Sequence, residues 1–370
     1  MPGFAEERFA PLRKVFEDSF TSGAEVGAAV CVTIDGETVV DLWGGHADAA
    51  ATRPWERDTI LNVYSVTKTM AALTALLLAD RGELDIAAPV ARYWPEFAAS
   101  GKDAITVAHV LSHSSGLSGW AEPITVTDLY DWDKATALLA AQAPFWEPGT
   151  ASGYHVVTQG FLIGEVVRRI TGRTLGTVFR QEIAEPLGAD FHIGLPAEHD
   201  ARVAELIPGS TDTMPFADPT ELQRNAALPK LEVADTRTRA FRGAEIPAGN
   251  GTGNARSAAT VLAVLANGGE AAGRRLLSEA GARRALEVQV EGPDLILEMP
   301  VRFGLGFAVN GGMMPNPNTI YWGGMGGSIV IADLDARLTF AYTPNKMATT
   351  IADTRGFTLL MAAWEAAGHL

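Results

Sequence analysis

The chain has 370 residues, of which 47% are hydrophobic and 20% are charged, and its formal net charge is -15. These proportions are typical of a folded globular protein and exclude an intrinsically disordered chain. The acidic balance and the lack of a basic stripe with interleaved aromatic residues argue against nucleic acid and anionic membrane surfaces as partners. A chain of this length is too long for one ordinary core, so we expect one large composite unit or two subdomains.

The first residues of the chain carry no basic start followed by an apolar stretch, so no secretory signal is visible. No uncharged apolar run approaches the length needed to cross a bilayer. We therefore expect a cytoplasmic protein, unless the sequence is a mature chain whose leader has been removed. The single cysteine, Cys31, lies in an apolar run and is expected to be a buried thiol in a strand.

The N-terminal part of the chain predicts a helix followed by a hairpin. Residues 4–21 place apolar side chains at helical spacing, and Pro11 marks a kink or the true start of the helix. Residues 26–34 are β-branched and apolar, Asp35-Gly36 is a turn, and residues 37–43 run back with alternation. A helix followed by an antiparallel hairpin favours an α+β fold over a doubly wound parallel sheet.

The next segment contains Ser65-Val66-Thr67-Lys68. Residues 65–81 contain no glycine or proline and predict a helix that begins at Ser65. Residues three apart share a helix face, so the Lys68 amine is expected beside the Ser65 hydroxyl. Such a hydroxyl becomes a useful nucleophile only when a neighbour takes its proton, and a lysine does so only if its pKa is lowered. Alone, the pattern is more typical of a capping serine and a solvated lysine.

The middle of the chain alternates helical runs with long connections rich in proline and glycine. Helices are predicted over residues 105–111, 134–142, 156–171 and 174–185. Residues 195–254 show little periodicity, and such a segment usually forms a lid or a binding wall, or is disordered.

Regular patterning returns after residue 254. A helix is predicted over residues 255–267, followed by four strand-like runs and an amphipathic helix over roughly residues 355–366. Strands at both ends of the chain predict one antiparallel sheet flanked by helices, built from residues 1–86 and 250–370. Residues 87–249 would then be a mainly helical insertion.

Two later segments contain residues suited to catalysis. Tyr154 precedes a helical run, and a tyrosine beside a lysine can be held partly as phenolate and act as a general base. In isolation, packing at a helix start accounts for this tyrosine. Trp322-Gly323-Gly324-Met325 lies at the end of a strand, where glycines let the backbone approach a substrate. The Met325 N–H could form an oxyanion hole with the N–H of Ser65, although a flexible hairpin explains the glycines equally well.

The order of these motifs resembles that of the serine β-lactamases and penicillin-binding proteins: Ser65-x-x-Lys68, Tyr154 about ninety residues later, and a glycine-rich triplet on a late strand. The closest resemblance is to the family VIII carboxylesterases, which are similar to class C β-lactamases. Supporting similarities lie in residues 105–117, 147–149 and 249–253, and the resemblance extends from about residue 10 to residue 368.

The resemblance implies a β-lactamase/transpeptidase-like fold and a set of catalytic roles. Ser65 would be the nucleophile that forms an acyl-enzyme, and Lys68 and Tyr154 would share its proton as a coupled pair. The backbone N–H groups of Ser65 and Met325 would hold the oxyanion. No cofactor or metal is implied.

Two departures from the lactamase pattern point to esters as substrates. Lys-Thr-Gly is replaced by Trp322-Gly323-Gly324, and Tyr-x-Asn by Tyr154-His155-Val156. Both changes remove polar side chains that would bind a β-lactam, and they leave an apolar entrance to the site. The resemblance therefore implies ester hydrolysis with weak or absent β-lactam turnover. Our substrate-binding candidates are Trp322, Gly323, Gly324, His155, Val156 and Trp120, and Trp120 has packing in the core as its alternative.

Other kinds of hydrolase are less compatible with the sequence. The lipase motif Gly-x-Ser-x-Gly is absent, and residues 326–330 come nearest but lack the closing glycine. His109 and His113 are four apart, but Val110 stands where a metalloprotease needs glutamate, so we interpret both histidines as structural.

Three hypotheses therefore remain. The first is a serine carboxylesterase acting on small, neutral, short-acyl esters. The second is a hydrolase of the same superfamily acting on β-lactams, amides or lactones. The third is a non-catalytic penicillin-recognition module, which the presence of the Ser65, Lys68 and Tyr154 functional groups disfavours. The oligomeric state is left open.

Overall fold

The computed structural model describes residues 1–209, 218–348 and 353–369. Its strands, in chain order, are β1 (Gly3–Ala5), β2 (Gly27–Ile34), β3 (Glu37–Gly45), β4 (Leu61–Asn62), β5 (Phe191–His192), β6 (Thr252–Gly253), β7 (Glu270–Ala271), β8 (Arg274–Arg275), β9 (Val290–Pro293), β10 (Pro300–Phe303), β11 (Ala308–Val309), β12 (Thr319–Gly323), β13 (Ile329–Asp333) and β14 (Leu338–Pro344). Its helices are α1 (Ala10–Thr21), α2 (Thr67–Asp80), α3 (Val107–Leu111), α4 (Trp132–Ala141), α5 (Thr158–Thr171), α6 (Leu175–Phe179), α7 (Glu185–Leu187), α8 (Glu221–Ala226), α9 (Arg239–Gly243), α10 (Ala255–Ala266), α11 (Glu279–Arg283) and α12 (Arg355–Ala366).

A nine-stranded antiparallel sheet organises the fold, with the order β1-β3-β2-β14-β13-β12-β11-β10-β9. Strand β2 pairs with β14 along its length, from Ala28 opposite Pro344 to Ile34 opposite Leu338. Strand β2, near the start of the sequence, and strand β14, near its end, therefore lie side by side in the interior of the sheet. The prediction of an α+β fold with an antiparallel sheet flanked by helices is confirmed. The exact domain boundaries stay a prediction.

Alternating side chains of the central strands supply two cores, because successive residues of a strand face opposite sides of the sheet. On β2, Val30 and Val32 face a core shared with α1 and α12. Ala29 and Cys31 face the larger core, which contains α2, α5 and α10. Burial raises the pKa of the Cys31 thiol above its usual value, as expected for a thiol enclosed in a strand.

Helix α2 lies inside the larger core and is buried on every side, from Thr67 to Leu78. A helix that is apolar all round is typical of such a position. The structure corrects the predicted start of this helix. Residues Tyr64–Val66 form a separate 3₁₀ turn, and the α-helix begins at Thr67, so Ser65 lies in the turn before the helix.

The inserted region contains the predicted helices, with one difference. The single helix predicted over residues 174–185 is α6, a π-helical turn over Arg180–Ala184 and α7. Residues 195–254 hold more regular structure than predicted, including α8, α9 and β6, although residues 210–217 lie outside the described part. Across the described ranges, no helix combines the length and apolar character needed to span a membrane.

Candidate active site

The turn that carries Ser65 is strained and tied down by polar side chains. Tyr64 has φ 45°, a left-handed conformation that is costly for a residue with a bulky side chain. The Tyr64 N–H donates to the side-chain oxygen of Asn62 at 3.2 Å, and the Tyr64 carbonyl accepts from the Thr67 hydroxyl. Thr67 in turn accepts from the N–H of Gly251 at 2.8 Å. Such strain persists only where surrounding contacts hold it, and these contacts hold Ser65 close to the end of β12.

Three functional groups from separate parts of the chain meet at this turn. The Tyr154 hydroxyl donates to Ser65 Oγ at 2.8 Å, and Lys68 Nζ lies 3.2 Å from the same oxygen. Lys68 comes from the first turn of α2, and Tyr154 from the segment that precedes α5. The structure therefore brings together Ser65 and Lys68, as their spacing predicted, and Tyr154, as the family resemblance implied. Their catalytic roles remain to be tested.

The Lys68 side chain lies in an enclosed environment that suits a neutral amine. It is 1% exposed, and its Nζ donates to the carbonyl oxygens of Val156 at 2.8 Å and Ala248 at 2.9 Å. Within the described ranges, no carboxylate forms an ion pair with it. Burial lowers the pKa of Lys68 well below its usual value. A neutral amine has two N–H bonds for the two carbonyls, which leaves its lone pair for the Ser65 hydroxyl.

Tyr154 is a protonated phenol at rest. Burial raises its pKa to about 12, although hydrogen bonds with the Ser65 and Trp322 side chains act in the opposite direction. The charge of Asp294 adds a further increase. The raised pKa does not favour the partly ionised phenolate that the sequence suggested, because the desolvation of the phenol outweighs its hydrogen bonds. In its protonated state the hydroxyl is a proton donor, and the identity of the formal base stays a prediction.

The glycine-rich end of β12 packs against the backbone that leads to Ser65. A Cβ placed on Gly324 would lie only 2.2 Å from the carbonyl oxygen of Val63, so the two segments approach as closely as glycine permits. The Gly324 N–H donates to the carbonyl of Ser328 at 2.7 Å and closes the turn. Met325 follows directly, and no acceptor for its N–H is found among the described residues. The role of this amide in an oxyanion hole stays a prediction.

An aromatic group lies behind the phenol of Tyr154. Trp322 is 5% exposed, and its ring centroid lies 5.5 Å from that of His113, 5.4 Å from Phe303 and 6.0 Å from Tyr154. His113 is fully buried and also lies 4.9 Å from the Tyr154 ring. These rings pack against Tyr154, and Trp322 occupies the position where the lactamase pattern has a lysine. Gly323, at the end of β12, is exposed.

Two of the predicted substrate-binding side chains do not face the site. His155 is fully buried, and its ring nitrogens lie 2.6 Å from the Ser115 hydroxyl and 2.6 Å from the Gly153 carbonyl. Burial lowers its pKa to about 4. Trp120 is 2% exposed, and its indole N–H donates to the carbonyl of Ala135 at 3.0 Å. Both predictions were wrong, because these side chains satisfy their polar atoms inside the helical core.

Other contributors differ from their prediction or were not predicted. Val156 contributes its carbonyl oxygen to Lys68, a contact that carries no signal in the sequence. Asn62 and Ala248 were not predicted, although residues 249–253 formed part of the family resemblance. In the described portion of the chain, no group of three or more His, Cys, Asp or Glu side chains could hold a metal ion.

Comparison with known proteins identifies the family. The Beta-lactamase family model matches residues 12–362. The chain belongs to the Beta-lactamase family. It is 36% identical over 379 residues to the esterase/β-lactamase LipL of Mycobacterium tuberculosis, covering 95% of this chain and 84% of LipL. The resemblance to the serine β-lactamase and penicillin-binding protein superfamily is therefore confirmed.

Two solved structures from this superfamily align with almost the whole chain. One is a family VIII carboxylesterase with 44% identity and a TM-score of 0.94, covering 99% of both chains. The other is a penicillin-binding protein homologue from Caulobacter crescentus with 39% identity and a TM-score of 0.93, also covering 99% of both chains. These similarities extend across both the sheet and the inserted region.

Proposed function

We propose that this protein is a serine carboxylesterase that hydrolyses small, neutral, short-acyl esters through an acyl-enzyme on Ser65. The observation that carries the proposal is the meeting of Lys68 Nζ and the Tyr154 hydroxyl at Ser65 Oγ, at 3.2 and 2.8 Å. Two relatives, a family VIII carboxylesterase and the esterase/β-lactamase LipL, support the esterase class.

Acylation begins when the neutral Lys68 amine accepts the proton of the Ser65 hydroxyl. The Ser65 oxygen then forms a bond to the ester carbonyl carbon, and the carbonyl oxygen becomes an oxyanion. The backbone N–H groups of Ser65 and Met325 stabilise this charge, and losing one such donor typically costs about 10²–10³-fold in turnover. No charged side chain is needed for this stabilisation.

Collapse of the tetrahedral intermediate breaks the bond to the alcohol oxygen. The Tyr154 phenol donates its proton to the departing alkoxide, and the proton held by Lys68 returns to the phenol. Water then attacks the acyl carbon and gives a proton to the Lys68 and Tyr154 pair. The acid is released as Ser65 leaves and recovers that proton, so each cycle converts one ester and one water into one acid and one alcohol.

The preference for neutral esters follows from the charge around the site. Trp322 stands where the lactamase pattern has a lysine, so the carboxylate of a β-lactam lacks its usual cation. The net charge of -15 also disfavours approach of anions. A β-lactam hydrolase is the second candidate, favoured by the name of LipL. A cytoplasmic location, a small-molecule ester substrate and the lack of nucleic acid or membrane partners stay predictions from the sequence.

The proposal is tested by measuring hydrolysis of p-nitrophenyl butyrate and nitrocefin, with fluorophosphonate labelling as a second readout. We expect fast ester and slow lactam turnover, with both activity and labelling lost in Ser65→Ala. The control is Ser328→Ala, which removes the hydroxyl of the nearest lipase-like sequence and should keep the labelling. Faster nitrocefin than ester turnover would favour the second candidate. No turnover and no labelling of the wild-type protein would favour a non-catalytic module.

A further inference from the structure

The loop between β9 and β10 lies directly against the segment that carries Tyr154. The loop is closed by two hydrogen bonds, from the Asp294 N–H to the Met299 carbonyl at 3.0 Å and from the Glu298 N–H to the Asp294 carbonyl at 2.9 Å. The Leu295 N–H donates to the carbonyl of Ser152 at 2.8 Å, two residues before Tyr154. The loop and the Tyr154 segment are therefore joined through their backbones.

The side chain of Asp294 makes a second connection. It is 2% exposed, and its Oδ1 accepts from the N–H groups of Tyr154 at 3.1 Å, Ile296 at 2.9 Å and Leu297 at 2.8 Å. One oxygen thus holds both the turn of its own loop and the main chain of the tyrosine. The other oxygen, Oδ2, is buried without a partner in the described part of the chain.

Burying the Asp294 carboxylate in this way costs more free energy than closing a turn requires. Burying a carboxylate is costly unless hydrogen bonds compensate it, and here one oxygen receives all three N–H groups. Asparagine or serine would cap the same turn without a buried charge. Of the three donors, only the Tyr154 N–H lies outside the loop. The carboxylate is therefore linked to Ser65 through Tyr154, whose hydroxyl donates to Ser65 Oγ.

We propose that Asp294 is a positioning residue that holds the Tyr154 phenol at Ser65 for protonation of the departing alkoxide. The proposal rests on the function proposed above. Lys68, at 4.9 Å from the ring centroid, and the rings of His113 and Trp322 contact the Tyr154 side chain. Asp294 instead fixes the main chain from which that side chain extends. Without the Asp294 carboxylate, the phenol would keep its neighbouring side chains, but the distance from its hydroxyl to the reacting oxygens would change.

Two esters that form the same butyryl-enzyme separate this role from a general effect on folding. p-Nitrophenolate is a good leaving group that departs without a proton, whereas ethoxide needs one. Asp294→Ala should therefore lower kcat/KM for ethyl butyrate by roughly 10²-fold, the loss typical of a catalytic group misplaced by about 1 Å. The loss for p-nitrophenyl butyrate should stay below roughly fivefold. Asp294→Asn keeps an accepting oxygen and should recover most of the ethyl butyrate rate.

Matched variants complete the experiment. In a Tyr154→Phe background, Asp294→Ala should cause no further loss, because two residues that act through one group are not additive. Asp48→Ala serves as the control, since Asp48 also accepts from loop N–H groups, those of Thr52 and Arg53, but does not contact Tyr154. It should leave the ratio of the two esters unchanged. Should Asp294→Ala fail to fold by circular dichroism, Asp294→Glu replaces it, since one added methylene displaces the accepting oxygen by about 1.5 Å.

Equal losses for both esters, or a further loss in the Tyr154→Phe background, would overturn the role of Asp294. The failure of the proposed function is a separate result. Ethyl butyrate hydrolysis that persists in Ser65→Ala would overturn that function whatever the behaviour of Asp294.

Discussion

Substitution of Gly324 by alanine should disable the oxyanion site without touching a catalytic side chain. The added Cβ would lie 2.2 Å from the Val63 carbonyl oxygen, whereas a carbon and an oxygen in contact are about 3.3 Å apart. One of the two backbones must therefore move by roughly 1 Å. Val63 precedes the Ser65 turn and Met325 follows Gly324, so both oxyanion donors are affected.

A displacement of this size is expected to lower kcat/KM for p-nitrophenyl butyrate by roughly 10²-fold, which corresponds to about 2.7 kcal/mol of transition-state stabilisation. The comparison variant is Gly323→Ala, one residue away, whose added Cβ meets nothing closer than the Ser328 carbonyl oxygen at 3.9 Å. Its loss should stay below roughly threefold. Thermal unfolding of both variants checks that the fold is retained. A folded Gly324→Ala enzyme with wild-type kcat/KM would refute the assignment of the oxyanion site to this turn.

Four further predictions concern the catalytic group and its aromatic support. Ser65→Ala should abolish ester turnover, and it should keep the fold because the change is small. An ester assay measures the turnover and circular dichroism checks the fold, and residual activity would contradict the prediction. Because burial lowers the pKa of Lys68, kcat/KM should be lost as the pH falls through that pKa and present above it. The profile should then stay level with rising pH, since the Tyr154 phenol, with a pKa of about 12, remains protonated; a loss of rate just above neutrality would contradict this. Tyr154→Phe should lose most of the rate, and near-wild-type kinetics would leave Lys68 as the only proton-transfer group. Trp322→Lys should lower the melting temperature, because an ammonium would replace a buried indole. It should not create an efficient lactamase, because Val156 has no amide side chain; strong nitrocefin turnover would show that Val156 does not limit lactam hydrolysis.

The meeting of Ser65, Lys68 and Tyr154 could be predicted because it depends on local geometry and on chemically distinctive residues. Ser65 and Lys68 are three apart and lie on one side of a helical turn, so their proximity follows from helix geometry alone. Tyr154 is distant in the chain, and only the resemblance to a known family placed it beside them. The left-handed conformation of Tyr64 could not be predicted, because a residue with a side chain rarely adopts it.

The contacts that support the site could not be predicted from the sequence for a different reason. Lys68 is held by the carbonyls of Val156 and Ala248, and every residue has a carbonyl, so no residue type marks these positions. Asp294 is 140 residues from Tyr154 and lies in an unremarkable acidic loop position. His155 misled the prediction because it is adjacent to Tyr154, although its side chain enters the helical core.

The pairing of β2 with β14 also bears on how the enzyme is made. Ser65 is synthesised well before β14, the strand that pairs with β2 in the sheet. Contacts between such distant segments form slowly, because a long loop must close before they are gained. A nascent or truncated chain that lacks β14 would therefore carry Ser65 without the completed sheet, and we expect hydrolysis only after β14 has been synthesised.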